Sequence, residues 1–174
     1  MNDFATDDAW QRGVRNRLLV PWYESHFDGH YVLMDKGRFA ILTQKQLAAD
    51  TVAQGRDGVV AIEEKIVRWK GRHYDSICVE TDSCTLPGLE SPGWAHYSEA
   101  DFLLYCMEQP GGGLDCHCFG MQELRAWFWP RVDDFPVCEM PSRNRTRMRL
   151  VPVAALKGAV PYARFGIPET RAAA

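Results

Sequence analysis

The sequence predicts an α/β fold: a single domain over residues 1–174, built on a mixed central β-sheet flanked by helices. Two observations lead there. A helical opening is followed by strand runs in a meander and then by helix and strand patterns in alternation, an order that favours a mixed sheet over a bundle or sandwich. The 174 residues are also enough for one sizeable core, and 46% hydrophobic with 25% charged residues is ordinary for a globular domain. Six Trp, eight Phe and six Tyr exclude a disordered chain. No apolar run approaches the roughly 20 residues that span a bilayer, and Met1-Asn2-Asp3 opens without the apolar stretch of a secretory signal. A cytoplasmic protein without membrane attachment is expected.

Asp7 or Asp8 can cap a first helix running to about His26, because Trp10, Val14, Leu18, Leu19 and Tyr23 follow helical spacing. Pro21 is expected to kink or end it. Tyr31–Met34 is short, extended or a turn, and Phe39–Leu47 reads weakly as helix. Asp50-Thr51-Val52 starts a strand, Gln54–Gly58 is turn material, and Val59–Trp69 is a long β-rich run. Tyr74–Thr81 is the next strand. Ser98 can cap a helix over Glu99–Met107. A strand at Leu114–Phe119 and a helix over Gln122–Trp129, stopped by Pro130, come next. A last strand over Arg145–Val153 and a short helix over Val153–Val160 complete the chain.

The 20 Lys and Arg against 23 Asp and Glu leave a net charge of −3, but the charge is uneven: seven of the basic residues and one of the acidic ones fall in 141–174. Arg143, Arg145, Arg147 and Arg149 alternate there. An extended backbone would line the four guanidinium groups along one face, as a solvated strand or as a strip that tracks phosphates. The six cysteines form no CxxC pair, and the compartment favours buried reduced thiols over disulfides. Cys116-His117-Cys118 lacks the spacing of a zinc site.

Chemistry concentrates in the middle of the chain. Alternation along the long strand puts Glu63 and Lys65 on one face, with Ala61 and Val67, and Glu64 on the other, with Ile62 and Ile66. A hairpin with the preceding strand can bring Asp50 near Glu63. Two such carboxylates suit a hard divalent cation such as Mg²⁺. A lysine two residues on can hold the attacking water or stabilise charge on a phosphate. Charges embedded in Ile62–Val67, a run otherwise fit for burial, need a compensating partner or ion.

Asp50, twelve intervening residues and Glu63-x-Lys65 resemble the signature of the PD-(D/E)XK nuclease superfamily. The segment Gly93-Trp94-Ala95-His96-Tyr97-Ser98-Glu99-Ala100-Asp101-Phe102-Leu103-Leu104-Tyr105 is similar to one that follows the core strands in several of its members. The resemblance covers roughly residues 7–119. It implies a restriction-endonuclease-like core and a metal-dependent hydrolase of DNA phosphodiesters. Asp50 and Glu63 would bind Mg²⁺, with Mn²⁺ as a possible substitute, and Lys65 would orient or activate the water. Ala49 stands where the family often has proline. Glu80 is an accessory candidate on the following strand, and Glu24, Gln44 and Gln46 are weaker ones. The Arg143–Arg149 strip would hold the backbone, and a second copy or a partner subunit would add specificity. The competing reading is a nuclease-fold module that has lost catalysis and serves in binding or assembly.

Overall fold

The computed structural model describes residues 4–27, 31–33, 49–55, 58–70, 75–140 and 145–169. The expected helix over Phe39–Leu47, and with it Gln44 and Gln46, lies outside the described residues, as does Arg143. No helix among the described residues is long and apolar enough to cross a membrane.

The opening helix runs as α1 (Phe4–Val14), a π-helical turn (Arg15–Leu19) and α2 (Val20–His26). In the π-turn the Val20 N–H bonds the Arg15 carbonyl. The wider turn restarts the helix just ahead of Pro21, which then occupies the first turn of α2, where its missing N–H costs little. Proline therefore neither ends nor breaks this helix.

Among the described residues the strands form two sheets. The main one has the order β1-β2-β3-β6-β7-β10. Here β1 is Tyr31–Leu33, β2 Thr51–Gly55, β3 Gly58–Val67, β6 Phe102–Glu108, β7 Leu114–Gly120 and β10 Tyr162–Ile167. The pairs are antiparallel except β3 with β6, which run parallel. Gly58, at φ 136°, opens β3 in a backbone region that glycine alone adopts readily.

The second sheet has the order β5-β4-β9-β8, with β4 at Ser76–Cys84, β5 at Ser91–Pro92, β8 at Val137–Glu139 and β9 at Arg147–Pro152. The crossover between β3 and β6 thus carries β4, β5 and the single turn α3 (Trp94–Tyr97) rather than one long helix. Helix α4 (Met121–Phe128) continues into a 3₁₀ segment, Trp129–Asp134, so Pro130 tightens the helix instead of stopping it. The turn α5 (Val153–Leu156) links β9 to β10.

Two cores flank the main sheet. On one face Val14, Leu18, Leu19 and Tyr23 of the opening helix pack on Ile62, Ile66, Leu104, Cys106, Cys116 and Ile167. On the other, Ala61, Leu103, Tyr105, Met107 and Phe119 meet Ile77, Val79 and Val151 of the second sheet, with Leu124, Phe128 and Leu156. Each large apolar side chain buried this way contributes roughly 1.5–3 kcal/mol.

The helix expected over Glu99–Met107 is instead strand β6. Leu103 to Met107 are all buried, because this strand has β3 and β7 on its two edges and a core on each face. Such a run carries no period that separates strand from helix. Strand β10 escaped the sequence reading altogether. It is short, contains Gly166 and mixes Tyr162, Arg164, Phe165 and Ile167 without a clear alternation.

Candidate active site

Asp50 sits at the bend before β2, locked there by three backbone-level contacts. Its N–H donates to the Ile62 carbonyl at 2.9 Å, and its carbonyl accepts from Arg15 Nη2 at 2.8 Å. The Glu64 N–H donates to Asp50 Oδ2 at 2.9 Å. The carboxylate is thereby held against β3 between Glu63 and Glu64.

Glu63 and Lys65 share the face of β3 that looks toward the second sheet. Lys65 Nζ bonds Glu63 Oε1, and the ammonium also lies 5.7 Å from the centre of the Trp94 ring. Glu63 is 6% exposed, whereas about a third (32%) of the Lys65 side chain is accessible, so the pair opens to solvent through the lysine.

Burial pushes the Glu63 carboxyl up to about 7; Lys65 opposes the shift, and the charges of Asp50 and Glu80 add to it. For Lys65, burial disfavours the ammonium, but Glu63, Asp50 and Glu80 together outweigh burial and raise its pKa. The four predicted residues Asp50, Glu63, Lys65 and Glu80 therefore act on one another electrostatically.

Glu80 reaches this cluster from β4, in the other sheet, and its Oε1 accepts the Ser83 hydroxyl at 2.5 Å. The close approach of Gly93 fixes that strand: its N–H bonds the Thr81 carbonyl at 2.8 Å, and a Cβ there would lie 2.4 Å from the Glu80 carbonyl oxygen. The Gly-Trp pair thus has two jobs, glycine to let the chain cross Glu80 and tryptophan to lie beside Lys65. Tyr97, at the end of α3, is 48% exposed, and its phenol is raised by burial first and by Glu80 and Glu63 after it.

Beneath the site, on the helix face, lies a buried polar network that the sequence reading missed. Arg15 Nε pairs with Glu64 Oε2 at 2.8 Å, and Tyr23 donates to Glu64 Oε1 at 2.7 Å. Thr51 also donates to Glu64 Oε1, and Arg15 Nη2 donates to Thr51 Oγ1 at 2.7 Å. The signal was present: Arg15 is a charge inside the apolar stripe of Val14, Leu18 and Leu19, and Glu64 is one among Ile62 and Ile66. Glu24, the first-helix candidate, is exposed, while its neighbour Tyr23 points inward.

Of the four alternating arginines, Arg145, Arg147 and Arg149 are among the described residues. Arg145 has φ 51° and precedes the strand, so the alternation starts only at Arg147. Arg147 lies between Asp82 and Glu139, at 3.8 and 3.5 Å. Arg149 donates to the Phe135 carbonyl at 2.9 Å and to Asp133 at 3.0 Å. Their charge is largely answered within the protein. The six cysteines are free thiols, with Cys106 and Cys116 Sγ atoms 3.1 Å apart across β6 and β7. His117 turns to the opposite face, its Nδ1 2.9 Å from the Tyr162 hydroxyl.

No protein-family model, curated protein or solved structure matches the chain. What the site can do therefore follows from its own geometry. Among the described residues no three His, Cys, Asp or Glu side chains converge as a ready metal shell. Asp50 and Glu63 nevertheless supply hard oxygens of the kind Mg²⁺ takes, with water and phosphate oxygens completing its octahedron. A carboxyl raised to about 7 by burial first, and by the charges of Asp50 and Glu80 after it, is a site where a divalent cation would displace a proton favourably. The donor set fits such an ion.

Proposed function

We propose that the chain is a metal-dependent nuclease of the PD-(D/E)XK type that hydrolyses phosphodiester bonds in DNA, in the cytoplasm. The observation that carries this reading is the meeting of Asp50, Glu63 and Lys65 at the β2–β3 hairpin, with Glu80 brought to them from a second sheet. Asp50 and Glu63 would hold Mg²⁺, or Mn²⁺ in its place. The metal would supply charge neutralisation on the phosphate and a more acidic bound water.

The chain's own groups set the geometry. The Glu64 N–H and the Arg15 guanidinium fix Asp50 from both ends of its residue. Lys65 keeps its proton at neutral pH, because its pKa is raised. It is therefore a donor that orients the water or steadies the charged phosphate, not a general base. Glu80, steadied by Ser83 and acting electrostatically on Glu63 and Lys65, would accept the proton of the attacking water. A second copy of the chain or a partner subunit would supply sequence or structure specificity.

The test is cleavage of supercoiled plasmid, linear duplex, single-stranded and branched DNA with Mg²⁺ or Mn²⁺, comparing wild type with Lys65→Ala and Glu63→Ala. Metal-dependent products that disappear in both variants support the nuclease. Three equally inactive proteins that still bind DNA favour the binding-module reading instead.

A further inference from the structure

The turn α3 flanks the site on the side of Lys65 and Glu80. The Ser98 N–H closes this turn on the Trp94 carbonyl at 2.9 Å. Trp94 and Tyr97, three residues apart, therefore rise from one side of it. Trp94 is the inner member: it is 3% exposed, and Lys65 Nζ lies 5.7 Å from its ring centre. Tyr97 is the outer member, 48% exposed.

We propose that Tyr97 is a further catalytic residue, whose phenol donates a hydrogen bond to a non-bridging oxygen of the scissile phosphate. The proposal rests on the nuclease reading of the site. Three observations carry it.

The first is the way the backbone around Tyr97 is held. Arg125 of α4 donates to the His96 carbonyl at 2.5 Å and to the Ser98 carbonyl at 2.9 Å, so the chain is clamped on both sides of Tyr97. Ahead of the turn, the Gly93 N–H bonds the Thr81 carbonyl at 2.8 Å, one residue from Glu80. A donor on a backbone fixed in this way needs little reorganisation when charge develops on a phosphate.

The second is what surrounds the hydroxyl. Its hydrogen-bonding neighbour is Ser83, whose own hydroxyl donates to Glu80 Oε1 at 2.5 Å. The charges of Glu80, Glu63 and Lys65 all act on the phenol. It thus belongs to the same cluster as the site carboxylates, on the side open to solvent. Burial and the two glutamates raise its pKa, so at neutral pH it keeps the proton it would donate.

The third is the engagement of the nearby cations. Lys65 bonds Glu63, Arg15 pairs with Glu64, and Arg147 lies between Asp82 and Glu139. The other ring carried by α3, His96, is turned to Trp129, with 4.0 Å between ring centres. Phosphoryl transfer spreads charge over the equatorial oxygens, and the Tyr97 phenol offers them a neutral donor beside Lys65.

The experiment compares wild type, Tyr97→Phe and Tyr97→Leu. Cleavage is measured with Mg²⁺ on the same four DNA forms, and binding of each form, labelled with fluorescein, is read by anisotropy in Ca²⁺. Tyr97→Phe removes the hydroxyl and keeps the ring, so its urea midpoint is expected to match wild type. The expected result is a kcat about a hundred-fold lower in Tyr97→Phe, with KM and DNA affinity within about two-fold of wild type. Tyr97→Leu is expected to be as slow as Tyr97→Phe, which assigns the effect to the hydroxyl and not to packing of the ring. Full activity in Tyr97→Phe, or a rate loss matched by an equal loss of DNA affinity, overturns the proposal and leaves the nuclease reading standing. A wild type that cuts none of the four forms overturns both.

Discussion

The Glu63 carboxyl makes the stability of the metal-free protein depend on pH in a direction opposite to ordinary acid denaturation. Its folded value of about 7 lies above the ordinary 4.5, so between these values the folded state holds a proton that the unfolded state has released. Unfolding therefore becomes easier as pH rises. The contribution is fully present below 4.5 and is lost as pH passes through about 7. Moving one carboxyl that far corresponds to about 3 kcal/mol, a large part of the 5–15 kcal/mol that holds a typical domain together.

Urea denaturation in EDTA, from about pH 4.5 to 8, on wild type and Glu63→Gln, measures it. Glu64 is raised in the same direction by burial, and burial lowers His117, which opposes it. Both remain in the variant, so the difference between the two curves isolates Glu63. Wild type is expected to lose about 3 kcal/mol relative to the variant over that range. Parallel curves, or a wild type that gains on the variant with rising pH, would refute the assignment of Glu63 as a desolvated carboxyl crowded by Asp50 and Glu80.

Three further outcomes follow from the same contacts. Saturating Mg²⁺ at alkaline pH should raise the thermal midpoint of wild type, by about 2.7 kcal/mol of stability at a hundred-fold excess over Kd, and a shift that persists in both Asp50→Asn and Glu63→Gln would place the ion elsewhere. Arg15→Met should cost about 3–5 kcal/mol by stranding Glu64, with most of it recovered in the double variant Arg15→Met/Glu64→Leu; chemical denaturation of the single and double variants decides this. Gly93→Ala should cost about 1–3 kcal/mol, because its Cβ would strike the Glu80 carbonyl, and an unchanged urea midpoint would show that α3 can move off β4.

Legibility in the sequence followed the kind of signal each element leaves. The β2–β3 hairpin was readable because Gly and polar residues punctuate a long β-branched run, and with it came the faces of Glu63 and Glu64. Strand β6 was not, because burial on both faces erases periodicity. The arginine alternation was legible as sequence, but not the left-handed Arg145 ahead of the strand, nor the acids on β4, the 3₁₀ segment and β8 that pair with Arg147 and Arg149, because those partners lie far along the chain. Glu80 was legible as a strand carboxylate. Its arrival from a separate sheet was not, since the packing of that sheet on the main one joins residues far apart in the chain and leaves no local pattern.

The two glutamates of β3 show why the site needs both faces of the sheet. Glu64 is neutralised within the protein by Arg15, Tyr23 and Thr51, and this buried pairing ties the opening helix to the bend at Asp50. Glu63, one residue away, meets a single ammonium and two further carboxylates, and keeps an excess of negative charge. Adjacent residues of one type thus divide into a paired anchor and a desolvated carboxyl with a raised pKa, according to which layer each one faces. The π-turn makes the division possible, because it sets Arg15 opposite Glu64 while leaving Leu18, Leu19 and Tyr23 on the core. On the proposed reading, a change that straightened that turn would loosen Asp50 and lower affinity for Mg²⁺ without altering Asp50 or Glu63 itself.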